Sequence, residues 1–115
     1  MHRSFAAGEP QSIERVATIA DSLGAPFALP LSYALCRKYL DDLVLVSDNH
    51  LREAMSVLFA DLKVAVEPAC AASTAALMTR LFDDLSGKRV VLVLSGSNID
   101  WRRFEKEADP GRRAA

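Results

Sequence analysis

Residues 87–100 read Gly-Lys-Arg-Val-Val-Leu-Val-Leu-Ser-Gly-Ser-Asn-Ile-Asp, and their order decides the fold class. Residues 89–94 carry five aliphatic side chains in a row. Continuous rather than alternating apolarity predicts a strand buried on both faces, the pattern of a parallel sheet. The run ends in Ser95-Gly96-Ser97-Asn98, and a short helix is expected over 101–108. In open α/β sheets ligands bind at the carboxyl ends of strands, so this turn is the first place to look for a site.

Upstream, 69–85 is expected to be helical, with Pro68 at its start and Ser86-Gly87-Lys88 as the turn that closes it. Its first half holds only small residues, Cys70, Ala71, Ala72, Ser73, Ala75 and Ala76, a face that a backbone or a flat ligand can approach closely. Residues 64–66 form a brief extended piece ending in Glu67-Pro68. Before it, Leu51, Ala54, Met55, Leu58, Phe59 and Leu62 recur at three- and four-residue steps and predict one apolar helical stripe, capped by Ser47 or Asp48. Residues 43–46 read as a short aliphatic strand. A helix from Pro30 is expected on Leu31, Ala34, Leu35, Tyr39, Leu40 and Leu43, with proline tolerated in the first turn. Gly24, Pro26 and Pro30 break 18–30 into an apolar loop expected to be buried, and 1–16 reads as an irregular lead-in. Helices alternating with strands give the expected fold class, α/β: a partial three-layer parallel sheet with flanking helices. Two or three strands do not cover both faces and both edges of such a sheet. The chain is therefore expected to be part of something larger or to pair with a partner chain.

Composition narrows the function classes. The 115 residues suit a single segment, 1–115, with 109–115 as a frayed tail, and half of them are apolar. A net charge of −1 argues against a nucleic-acid groove or a polybasic membrane patch. The five-residue aliphatic run falls far short of the ~20 residues that cross a bilayer. The N-terminus shows no signal-peptide pattern, and Cys36 and Cys70 stand alone, so a reducing, cytoplasmic location without metal or disulfide is expected. His50 sits on the polar side of its helix and His2 at a terminus; Arg102, Arg103 and Lys106 read as a solvated helix face. GxGxxG, P-loop and GxSxG motifs are absent.

Two places offer chemistry. The hydroxyls and backbone N–H groups of 95–98 suit an anion or a heterocyclic nitrogen, and equally a plain strand-to-helix turn using glycine for backbone freedom. Glu67 opens a helix, where the dipole alone favours a carboxylate. Asp21, in the apolar loop, is expected to accept from backbone N–H groups.

Four ordered motifs carry a resemblance: Thr-Ile-Ala-Asp-Ser-Leu at 18–23, Leu-Val-Ser-Asp at 45–48, Val-Glu-Pro-Ala-Cys-Ala-Ala at 66–72, and the 87–100 stretch quoted above. In this order they resemble the C-terminal third of the threonine/serine dehydratases, fold-type-II pyridoxal-phosphate enzymes of the tryptophan synthase β-like group, which also holds serine racemase. The resemblance runs from about Ser4 to Asp100.

It implies that Ser95 hydrogen-bonds the pyridine nitrogen of pyridoxal 5'-phosphate. A neutral hydroxyl there leaves the ring a weaker electron sink than a carboxylate would. It also implies that Glu67 lies near the ring, that Gly96 and Asn98 shape the loop around it, and that the backbone at Ser22 lies beside it. Ser22 and Ser97 replace glycines common in the family. The family's Schiff-base lysine and glycine-rich phosphate loop have no counterpart here, since Lys38, Lys63, Lys88 and Lys106 lack the flanking pattern. The expectation is a C-terminal segment of a dehydratase that is inactive alone, with no catalytic residue of its own. Its partner is the N-terminal portion of the same enzyme or a partner chain, in a homo-oligomer when complete. The complete enzyme would convert L-threonine or L-serine to 2-oxobutanoate or pyruvate plus ammonia. The alternative is a non-catalytic α/β interaction or ligand-binding module derived from that fold.

Overall fold

The computed structural model describes residues 1–79 and 85–109. The chain divides into two compact units, Met1–Leu45 and Val46–Ala115.

The first unit holds α1 (His2–Ala7), a 3-10 helix (Asp21–Leu23) and α2 (Pro30–Tyr39). The irregular lead-in expected at the N-terminus is thus partly helical. Gly8 closes α1 in the left-handed region, at φ 77°, which a residue without Cβ adopts at no steric cost. Ser4 is buried, and its Oγ accepts from Gln11 N at 3.0 Å. The segments around Ser12 and Phe27 meet in an isolated antiparallel bridge, with Ile13 N donating to Pro26 O at 2.7 Å and Ala28 N to Gln11 O at 3.1 Å. Phe5 and Tyr33 pack edge to face, and the Arg37 guanidinium lies over the Phe5 ring. The expected burial of 18–30 is corrected: Leu23, Phe27 and Leu29 are exposed, and only Ala20 of that loop is buried. Gly24 and the two prolines deny the loop a regular backbone, and without one its side chains share no common face. Asp21 does accept a backbone N–H, that of Ser22, at 2.9 Å, although it too is exposed. Helix α2 has Pro30 in its first turn, as expected, but stops at Tyr39, before Leu43.

The second unit is built on α3 (Asp48–Leu62), α4 (Ala72–Met78) and α5 (Trp101–Ala108). Helix α3 packs against both others. Ser47 caps α3, its Oγ accepting from His50 N at 3.2 Å. The predicted stripe is buried at Leu51, Ala54, Met55 and Leu58, and emerges into solvent at Phe59 and Leu62 near the helix end. Val66, Cys70, Ala71, Ala75 and Ala76 complete the core from α4 and the turn before it, and Phe104 from α5. The small residues of α4 let its backbone come close to α3. Helix α5 is clamped along α3 by Arg52 Nε to Glu107 Oε2 at 2.8 Å and by Ser56 Oγ donating to Ala108 O. The expected helix over 69–85 begins three residues late, after a turn over 68–71. Residues 80–84 of it, and 110–115 of the expected tail, lie outside the described residues.

The expected parallel sheet is not formed among the described residues. Segments 43–46 and 89–94 carry no strand, and Val91 is 87% exposed. A strand exists only by pairing, because its N–H and C=O groups point sideways to a neighbour. Residues 43–46 also straddle the boundary between the two units, and among the described residues no segment forms a ladder with 89–94.

Candidate functional site

The candidate site is the loop over 95–98 with the residues that hold it. Three attachments fix its course. Ser73 Oγ, on α4, donates to Val93 O at 3.4 Å. Glu67 N donates to Gly96 O at 3.3 Å, joining the turn before α4 to the middle of the loop. Asp100 caps α5, its Oδ1 accepting from Arg103 N at 3.0 Å, so the loop leaves directly into a helix start. Between these points Ile99 N donates to Ser97 O at 2.8 Å.

Ser95 and Asn98 are exposed, and Gly96 and Glu67 are half-buried. The side chain of Ser95 has no hydrogen-bond partner among the described residues, so its hydroxyl is free to donate or accept. The turn after Glu67 is tied by Cys70 N and Ala71 N, which donate to Glu67 O at 3.0 and 3.3 Å. That turn keeps the Glu67 side chain turned toward the loop: a Cβ built on Gly96 would lie 2.5 Å from Glu67 Oε1. Gly96 itself lies outside the left-handed region, unlike Gly8 and Gly87. Glycine at 96 leaves room for the Glu67 side chain, and the backbone freedom expected of it is not used.

The structure therefore brings Glu67 and Gly96 into direct contact and puts Ser95 and Asn98 on the same loop. Ser22 is in the first unit, exposed, on the 3-10 helix. Sequence reasoning missed two supports of the loop, Ser73 and Asp100. A serine standing among the alanines of α4, and an aspartate just before an aromatic helix start, are the signals that could have found them.

These residues fit one edge of a pyridine ring. The unpartnered Ser95 hydroxyl suits a heteroaromatic nitrogen, and the missing side chain at 96 keeps the loop low. Lys63 Nζ donates to Ala60 O at 2.5 Å, and Lys38 Nζ lies over the Tyr39 ring at 4.9 Å, both on helix surfaces. Among the described residues no three His, Cys, Asp or Glu side chains converge to hold a metal ion, and no helix is long and apolar enough to cross a membrane.

Comparison with known proteins bears on this arrangement. The family model for "Pyridoxal-phosphate dependent enzyme" matches residues 1–96. Phenylserine dehydratase of Ralstonia pickettii is 50% identical over 111 residues, which cover 96% of this chain and 34% of that protein. L-threonine ammonia-lyase of Thermotoga maritima is 32% identical over 111 residues, 96% of this chain and 27% of that protein. Among solved structures, maize serine racemase aligns with a TM-score of 0.80 at 32% identity, covering 90% of this chain and 34% of that one. The chain thus spans about a third of the length of the relatives it matches.

Proposed function

Since the chain belongs to the pyridoxal-phosphate dependent enzymes, we propose that it is the C-terminal segment of a dehydratase acting on 2-amino-3-hydroxy acids. It supplies one wall of the coenzyme site. The observation that carries this reading is the exposed, unpartnered Ser95 hydroxyl on a loop braced by Glu67 and Asp100.

Pyridoxal phosphate, when bound, supplies the electron sink for breaking bonds at the substrate's Cα. Ser95 would hydrogen-bond its ring nitrogen through Oγ. A hydroxyl does so without imposing a proton, which suits prompt loss of a β-hydroxyl over long-lived carbanion chemistry. Gly96 and Asn98 would shape the loop that meets the ring, and Glu67 would lie near it. The lysine and the phosphate cradle come from the N-terminal portion of the same protein or from a partner chain. The same portion would pair with 89–94 and cover Val91 and Val93, which are exposed here.

The overall reaction removes the β-hydroxyl and the amino group from one substrate molecule. L-threonine yields 2-oxobutanoate and ammonia; L-serine yields pyruvate and ammonia. The half-identical relative is a phenylserine dehydratase, which favours a second reading in which the β-carbon carries an aromatic ring. The three substrates share the amino and hydroxyl groups that react and differ only in the β-substituent.

The test is Ser95→Ala in the complete protein, read as coenzyme dissociation constant and rate of 2-oxo acid release. Loss of one neutral hydrogen bond should weaken coenzyme binding by about 1 kcal/mol, roughly fivefold. Unchanged affinity and rate would remove Ser95 from the site. Rates with threonine, serine and phenylserine, compared in the same protein, separate the two substrate readings.

A further inference from the structure

We infer that Gly96 is a positioning residue that seats the Glu67 carboxylate against the loop carrying Ser95; the inference rests on the reading of Ser95 as the ring-nitrogen partner. The absent side chain at 96 is the seat.

Four observations meet here. Gly96 does not occupy the left-handed region, so its backbone does not call for glycine. The three atoms nearest a Cβ at 96 would all belong to the Glu67 side chain, 2.5 Å to Oε1, 3.2 Å to Cδ and 3.7 Å to Cγ. The Glu67 carboxylate has no hydrogen bond or ion pair among the described residues, and its Oε1 lies in the space that a side chain at 96 would take. Meanwhile Glu67 N–H on Gly96 O, at 3.3 Å, ties the two backbones together independently of the side chain.

The consequence is specific. A methyl group at 96 collides with the mobile end of a flexible side chain and with no backbone atom. The carboxylate must swing out while the loop keeps its course. Residue size at 96 therefore sets where the Glu67 carboxylate lies against the loop that carries Ser95. In a partly buried site, moving that charge alters the field at the ring-nitrogen hydrogen bond. Glycine in this loop thus acts through a second residue, 29 positions earlier in the chain.

The experiment is a mutant cycle in the complete protein loaded with pyridoxal phosphate. It uses Gly96→Ala, Glu67→Ala and Glu67→Gln, singly and as G96A/E67A and G96A/E67Q. The readouts are the coenzyme absorption spectrum, its dissociation constant and, in coenzyme-free protein, the side-chain carboxyl resonance of Glu67. Touching residues couple, so Gly96→Ala alone should weaken coenzyme binding by about tenfold, shift the spectrum and move the Glu67 resonance. In the Glu67→Ala background the same change should cost less than about twofold, because nothing remains to displace. In the Glu67→Gln background the amide is displaced but no charge moves, so the cost should again fall below about twofold. Equal costs in all three backgrounds would overturn the inference. If G96A does not fold, a folded G96A/E67A supports the seat, and an unfolded one overturns it. Ser95→Ala tests the other reading separately. If it changes nothing while the Glu67 resonance still responds to Gly96→Ala, the seat stands and the ring-nitrogen role falls.

Discussion

In the unit Val46–Ala115, α3 packs against α4 and α5, and Met55 is fully buried along with Leu51, Leu58, Val66 and Phe104. In the unit Met1–Leu45, only Ser4 and Ala20 are buried, and Leu31, Leu35 and Tyr39 line one side of α2 in solvent. The two stripes look alike as sequence, since both repeat at helical spacing. What separates them is a partner. Helix α3 finds the small face of α4 and the Phe104 side of α5; α2 meets α1 through Tyr33 and Arg37 on Phe5, and its Leu31, Leu35 and Tyr39 stay exposed. An apolar period tells which face of a helix wants cover. It does not tell whether the cover is present.

That contrast can be broken at Met55. Truncation to alanine removes a side chain at the centre of the second unit and should destabilise it by ~2–5 kcal/mol, the range for a cavity in a packed core. Denaturant unfolding followed by tryptophan fluorescence reports this directly, because Trp101 stacks near Phe104 on α5. A loss below about 1 kcal/mol would mean that the three-helix core is not the source of stability.

Arg52→Ala tests how firmly α5 is held. It leaves Glu107, only 7% exposed, with its carboxylate unpaired. A buried pair broken on one side costs several kcal/mol, but Arg52 is about a third exposed and water screens much of that. A loss of roughly 1–2 kcal/mol is expected, read from the same unfolding curves. Glu107→Gln together with Arg52→Ala should recover part of it.

Lys63→Gly should act in the opposite direction. Lys63 ends α3 in the left-handed region at φ 59°, where a Cβ is costly. Glycine there should raise stability by ~0.5–1 kcal/mol, seen as a higher melting temperature. No rise would show that the Lys63 ammonium on Ala60 O offsets the strain. The smallest effect is expected on the other side of the comparison. Leu31→Ala, at a position 71% exposed, should change the stability of this chain by no more than ~0.5 kcal/mol. A large loss there would show that α2 is covered in solution.

The helices were the most legible part of the fold. The α3 stripe, its Ser47 cap and the extent of α5 follow from spacing and end residues, because helix hydrogen bonds join residues four apart. The sheet was legible only as a demand. The aliphatic run at 89–94 states that both its faces should be buried, and says nothing of where the covering atoms are. For the site, the ordered motifs picked out Ser95, Gly96, Asn98 and Glu67 as residues that matter. The motif pattern carried no information about which of them touch.

From the order of residues alone come the helical segments, the turn at 95–98 and membership in a pyridoxal-phosphate dependent family. The tertiary structure decided that Glu67 rests on Gly96, that Ser73 and Asp100 hold the loop's two ends, and that glycine at 96 serves space rather than backbone conformation. The reason is range. Periodicity and capping are energies between near neighbours in the chain, so they are written locally. A carboxylate meeting a bare Cα 29 residues away depends on how α3 and α4 pack and on where the turn before α4 delivers the side chain.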